Sequence, residues 1–90
     1  MFAISTVADL GNSVRTARHD RGLSQAELAR RSGVSRAWLI RLEDGHPRAE
    51  LVKVLAVLDT LGQRVEVRDE TPTDSTDADH LRRLFGEIDD

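Results

Sequence analysis

LSQAELARRSGVSRAWLIRL, residues 23–42, is the stretch whose reading decides the fold. Ser24 followed by Glu27 has the pattern of a capping box, and Ala26, Leu28 and Ala29 supply the apolar positions of a short helix that Gly33 ends. Ser35 then caps another short helix whose apolar positions are Trp38, Leu39 and Leu42, and Gly45 and Pro47 force the chain out of it. Ala29 stands four residues after Gln25, and Gly33 four after Ala29. Two helices that cross closely need a small residue at the crossing, here Ala29. The tight turn between them needs a residue tolerant of positive φ, here Gly33. Val34, Leu39 and Leu42 hold the second helix on the core and leave its other face free. The combination predicts a helix-turn-helix, a DNA-binding unit.

Working outward, Thr6 with Asp9 three residues on reads as an N-cap, and Val7, Leu10, Val14 and Ala17 recur at helical spacing up to Gly22. Downstream, from about Ala49, the series Leu51, Val54, Leu55, Leu58 and Leu61 holds one helical face until Gly62. Gln63 to Arg68 switch to a period of two, with Val65 and Val67 on one side and Arg64, Glu66 and Arg68 on the other, which predicts a strand. No second strand is evident in the sequence. A lone strand leaves its backbone donors and acceptors unpaired, so this one is expected to pair with the same strand of another copy in a two-fold homodimer. Residues 6–68 thus read as a DNA-binding and dimerisation domain, and residues 69–90 as an acidic linker plus a short amphipathic segment. In that segment Leu81, Leu84, Phe85 and Ile88 form a helical stripe with three readings: an anchor for a partner, a helix docked on its own body, or a disordered end.

At 90 residues and 39% apolar the chain holds one core. Its formal charge of −3 argues on average against a nucleic-acid partner, but the charge is segregated. Residues 11–53 carry nine basic against five acidic side chains, whereas residues 69–90 carry eight acidic against two basic. With a Debye length of about 8 Å at physiological salt, a binding face feels mainly its own neighbourhood. The absence of cysteine excludes disulfides, thiolate zinc sites and cysteine nucleophiles. No apolar run approaches the ~20 residues of a membrane span, and Met1 to Leu10 lacks the pattern of a signal peptide, so a cytoplasmic protein without membrane association is expected. His19, His46 and His80 share no ligand spacing, and no phosphate loop, nucleophile motif or catalytic carboxylate pair is visible. Neither a metal, a cofactor nor an enzymatic activity is expected.

Residues 23–36 together with Leu42-Glu-Asp-Gly resemble the phage-repressor, or XRE and Cro/CI, helix-turn-helix family over roughly residues 10–62. More narrowly, one helix after the motif followed by Leu61-Gly-Gln-Arg-Val-Glu-Val-Arg is similar to the HipB-type antitoxins, in which that strand pairs across the dimer. The resemblance implies a mainly α, four- to five-helix, lambda-repressor-like domain with one short C-terminal β-strand pairing across a homodimer through Val65 and Val67. It also implies an autorepressor that binds a palindromic operator on double-stranded DNA and holds a partner toxin, in the closest cases a HipA-type kinase.

Carried onto this chain, the family pattern puts Gln25 on a phosphate at the start of the first motif helix, the alternative being a solvated glutamine. Ser35, Arg36 and Ala37 begin the helix that enters the major groove. Arg36 is the leading base reader, since a guanidinium donates twice to guanine O6 and N7, although many such arginines touch only phosphate. Arg41 follows near the same side. Trp38 departs from the smaller polar residue usual in the family, and two readings stand: along the DNA backbone, or packed at the edge of the core. His46 and Arg48 fall where a loop meets phosphates or is merely solvated. Arg15, Arg18, Arg30 and Arg31 either widen the electrostatic footprint or, the plainer reading, belong to solvated helix faces. Two other functions remain open: a stand-alone regulator, such as a restriction-modification controller, and a protein-interaction adaptor that has lost DNA binding.

Overall fold

Each of the first three helices starts where a hydroxyl can satisfy an otherwise orphaned backbone N–H. Thr6 Oγ1 accepts from the Asp9 N–H at 3.0 Å while the Asp9 carboxylate accepts from the Thr6 N–H at 3.2 Å, a complete capping box. Ser24 and Ser35 accept from Glu27 and Trp38 N–H groups, each at 3.0 Å. The box expected at Ser24 is only half made: Glu27 turns its carboxylate to Arg30 and Arg31 instead, because two guanidiniums offer stronger charge-assisted bonds than one backbone amide. The computed structural model describes residues 3–69 and contains helices α1 (Val7–Asp20), α2 (Gln25–Ser32), α3 (Arg36–Glu43) and α4 (Leu51–Thr60). Leu81, Leu84, Phe85 and Ile88, with the linker beyond Asp69, lie outside the described residues.

α1 lies on α3, and α2 packs on both α3 and α4. Val14 and Ala17 of α1, Leu28 and Ala29 of α2, Trp38, Leu39 and Leu42 of α3, and Val54, Val57 and Leu58 of α4 join Leu61 in one core, with Leu10, Leu23, Val34 and Ala49 at its edge. The periodic reading is corrected at four apolar positions, since Val7, Ala26, Leu51 and Leu55 are exposed. On α4 the cause is a helix that is apolar on two sides. Its core face runs through Val54, Val57, Leu58 and Leu61, and Leu51, Val52 and Leu55 form a second, outward row. Gln63 to Arg68, expected as a strand, carries no regular secondary structure in the single chain, and Val65 and Val67 stand exposed. A strand needs a ladder partner, and among the described residues this chain offers it none.

Among the described residues, two charged side chains lie inside. Glu43 is 2% exposed and Arg18 8%. Arg18 Nε donates to Glu43 Oε2 at 2.7 Å and Nη2 to Oε1 at 3.0 Å, while Nη1 donates to the Leu23 carbonyl at 2.9 Å. The pair therefore ties α1 to the end of α3 and to the turn before α2. Beside it, Arg15 Nη2 donates to the Glu43 carbonyl at 3.0 Å and to Asp44 Oδ1 at 3.2 Å, closing the C-terminus of α3 where a cation suits the helix dipole. Burial pushes the Glu43 carboxyl up, but the hydrogen bonds from Arg18 and Gln25 and the charges of Arg18 and Arg15 outweigh it and hold the group below the usual carboxylate range. Approach this close requires Gly11, where a Cβ would stand 2.6 Å from both the Leu42 and the Glu43 carbonyl oxygens.

Two stability outcomes follow. By propensity alone Gly11→Ala would stabilise α1 by about 1 kcal/mol, but the backbone contact reverses the sign, and a loss of roughly 1–3 kcal/mol is expected in urea unfolding. An increase would contradict the packing described. Glu43→Gln leaves Arg18 buried without a counter-charge and should cost about 3–5 kcal/mol at neutral pH. Because the folded-state pKa of Glu43 lies below its ordinary 4.5, the unfolded chain binds more protons between the two values. The stability Glu43 contributes is complete above that range and is lost as pH falls through the folded pKa, so the gap between wild type and Glu43→Gln should narrow as pH is lowered below the ordinary carboxylate range. A gap independent of pH would contradict the ionised pair.

Candidate nucleic-acid interface

Gly33, at φ +73°, turns the chain between α2 and α3, and the Val34 N–H donates to the Ala29 carbonyl at 3.0 Å, locking the turn. Ala29, with no side chain beyond Cβ, is buried at the α2–α3 packing, as the spacing requires. On α3 the positions Trp38, Leu39, Leu42 and Glu43 face inward, which fixes the opposite row by the helical period. Ser35, Arg36, Ala37 and Arg41 are all exposed, with Ile40 half-buried between them. The N-terminal turn of α3 thus offers water a short hydroxyl, a methyl and the Arg36 guanidinium on a rigid support, and Arg41 adds a second from the last turn.

The described cations divide by their partners. Arg15 and Arg18 meet Glu43, Arg30 and Arg31 meet Glu27 at 2.6 and 2.8 Å, Lys53 meets Glu50 at 3.2 Å, and Arg64 and Arg68 flank Glu66 at 3.9 Å. Glu27 is held at about 2 by the hydrogen bonds from Arg30 and Arg31, so it stays ionised and keeps both engaged. Among the described residues Arg36, Arg41 and Arg48 have no carboxylate within 4.0 Å, and neither has Arg21, whose guanidinium donates to the Ala17 carbonyl at 2.9 Å. Three of these four arginines, Arg36, Arg41 and Arg48, are ones expected from the sequence to meet DNA.

Trp38 takes the core position of its two expected places, at 5% exposure. Lys53 Nζ stands 5.7 Å over its ring and His46 meets it edge-on with centroids 6.5 Å apart, so Trp38 links α3, the following loop and α4. Its indole N–H has no hydrogen-bond partner among the described residues. His46 is half-buried against that ring and its Nδ1 accepts from the Arg48 N–H at 3.4 Å, a long bond that brings the two loop residues together. Gln25 is the first residue of α2 and half-buried, with its Nε2 donating to Glu43 Oε1 at 3.3 Å. Sequence reasoning missed the inward roles of Arg15, Arg18 and Glu43. The signal was present, since Arg18 follows Val14 by four and Glu43 follows Leu39 by four, each on the buried phase of its helix.

The family model described as "Helix-turn-helix domain" matches residues 9–71. An uncharacterised HTH-type transcriptional regulator of Sinorhizobium fredii, y4mF, is 44% identical over 64 residues, which span 71% of this chain and 84% of the relative. Among solved structures, a HipB complex with the O4 20mer aligns at TM-score 0.72 and 22% identity, over 79% of this chain and 100% of that one. The HipA-HipB-O2-O3 complex aligns equally well, with the same identity and coverage. The HipB likeness establishes the fold. The chain belongs to the helix-turn-helix domain family, among the HTH-type transcriptional regulators.

Proposed function

We propose that the protein is a homodimeric, sequence-specific repressor of the HipB type: an antitoxin that binds a palindromic operator, autoregulates its operon and neutralises a HipA-type kinase toxin in the cytoplasm. The observation that carries the DNA-binding reading is the sorting of cations, because an arginine without a carboxylate is free to release counterions from a phosphate or to read a base edge. Arg36 and Arg41, with Ser35 and Ala37, enter the major groove. Gln25, His46 and Arg48 grip the backbone on either side, with Trp38 supporting the helix from the core.

The homodimer is supported by apolar surface that one copy leaves in water. Leu51, Val52 and Leu55 line the outer row of α4, and Val65 and Val67 follow it, with Val52 at 77% and Val67 at 95% exposure. Pairing of Gln63 to Arg68 with its symmetry mate gives that segment the ladder it lacks and covers both valines. Two reading helices related by a two-fold axis then engage half-sites roughly 34–36 Å apart. The toxin partner is supported by fold likeness, since the HipB it resembles is solved in a HipA-HipB-O2-O3 complex, and by the sequence of Leu81, Leu84, Phe85 and Ile88, a stripe suited to folding on another protein.

Fluorescence anisotropy with the DNA upstream of its own gene tests the reading. Arg36→Ala should lose roughly 1–3 kcal/mol per half-site of preference for the operator over unrelated DNA, whereas Arg48→Ala should weaken both alike and lower the salt slope by about 1 per half-site. Arg30→Ala should change little, because its guanidinium is engaged by Glu27 at 2.6 Å and adds little to the electrostatic footprint. Absence of binding at low salt, or an Arg36→Ala variant that behaves as wild type, would contradict DNA reading. Sedimentation of the full chain should give a dimer at micromolar concentration that Val65→Pro weakens, and a monomer would contradict the pairing. Tagged protein should bring down a neighbouring gene product that deletion of residues 78–90 releases. Capture of no such product would leave a stand-alone regulator instead.

A further inference from the structure

We propose that Glu43, buried and not itself a DNA contact, is a positioning residue for DNA binding: its carboxylate holds the Gln25 side-chain amide in place to donate to a phosphate at the start of α2. The proposal rests on the DNA-binding reading and adds a role for a side chain that no DNA motif includes.

Glu43 Oε2 is taken up by Arg18 Nε, while Oε1 accepts from Arg18 Nη2 at 3.0 Å and from Gln25 Nε2 at 3.3 Å. An ionised carboxylate only accepts, so the face of the Gln25 amide turned toward it must be the NH2 group. One N–H is spent on Glu43. The second N–H and the carbonyl oxygen have no partner among the described residues, and the planar amide holds the remaining donor in one direction. A free glutamine side chain loses its rotamers when it grips a phosphate; here the fold has ordered it beforehand. The anchoring atom is itself immobile, since Glu43 is fixed by Arg18 from α1 and by its own helix.

A carboxylate close to a phosphate site would ordinarily repel the ligand. Glu43 avoids this because two guanidiniums cover it: Arg18 at 2.7 Å and Arg15 Nε at 3.7 Å. The three groups carry a net positive charge, and the first turn of α2 adds unsatisfied backbone N–H groups beside Gln25. The same cluster that holds α1 against α3 therefore orders a donor at the start of α2.

A double-mutant cycle on the full chain tests this, with affinity for the upstream duplex measured at a temperature where circular dichroism shows every variant folded. Glu43→Gln should weaken binding by about three- to tenfold per half-site when Gln25 is present and by little when Gln25→Ala is already in place. Equal losses in both backgrounds would assign Glu43 a purely structural effect and overturn the proposal. Wild-type protein that binds no DNA at low salt would remove the DNA reading itself, and the proposal with it. A second measurement needs no substitution: in the free wild-type protein, the Gln25 side-chain amide should show an NMR order parameter near ~0.85, and a value below ~0.6 would overturn the proposal.

Discussion

The Arg18–Glu43 pair is the constraint on which the rest of the domain depends. Each ion costs several kcal/mol to remove from water, so the two are tolerable inside only when they meet with nearly every donor and acceptor used. Arg18 uses Nε and both terminal nitrogens, two on Glu43 and one on the Leu23 carbonyl. Hydrophobic burial among Val14, Leu28, Leu39 and Leu61 drives association without direction. The ion pair is directional, and it sets how far α1 and α3 slide past one another. Gly11 is its steric counterpart, the place where α1 meets the last carbonyls of α3 with no side chain between.

From that constraint the interface follows. Fixing the inward row of α3 fixes its outward row, and the outward row carries Arg36, Ala37 and Arg41. Acidic side chains in the described body are largely occupied by cations of the same body: Glu27 by Arg30 and Arg31, Glu43 by Arg18, Glu50 by Lys53. Among the described residues, three of the four arginines without a carboxylate lie on and just beyond α3, while the unpaired Asp20 and Asp59 sit on α1 and α4. A net charge of −3 is thus compatible with a DNA-binding surface, because the excess acid belongs to residues 69–90 and the internal pairs cancel without touching that surface.

Much of this was legible in the order of residues. Caps at Thr6, Ser24 and Ser35 and a left-handed turn at Gly33 are local events, governed by a few neighbouring atoms, and they stand where the pattern puts them. The exposed places of Ser35, Arg36, Ala37 and Arg41 follow from helical period alone. What failed depends on partners distant in the chain. Glu27 was free to close a box with Ser24 until Arg30 and Arg31 competed for it. Arg18 and Arg15 read as solvated because their partner, Glu43, stands 25 and 28 residues away. Leu51 and Leu55 were drawn into the core series because a helix apolar on two sides has no single phase. Gly11 gave no signal, since its role appears only when the ends of α1 and α3 are brought together.

The central claim is that the uncommitted positive row of α3, with the start of α2 and the following loop, is the surface that meets DNA. The most direct measurement is a titration of the 15N-labelled full chain with its upstream duplex, followed by amide shift changes. The expected result is a set of changes centred on Gln25, Ser35, Arg36, Ala37, Arg41, His46 and Arg48, with the Arg30 and Arg31 side of α2 unmoved. Changes centred on the outer row of α4 or on the Asp20 end of α1, with α3 silent, would contradict it.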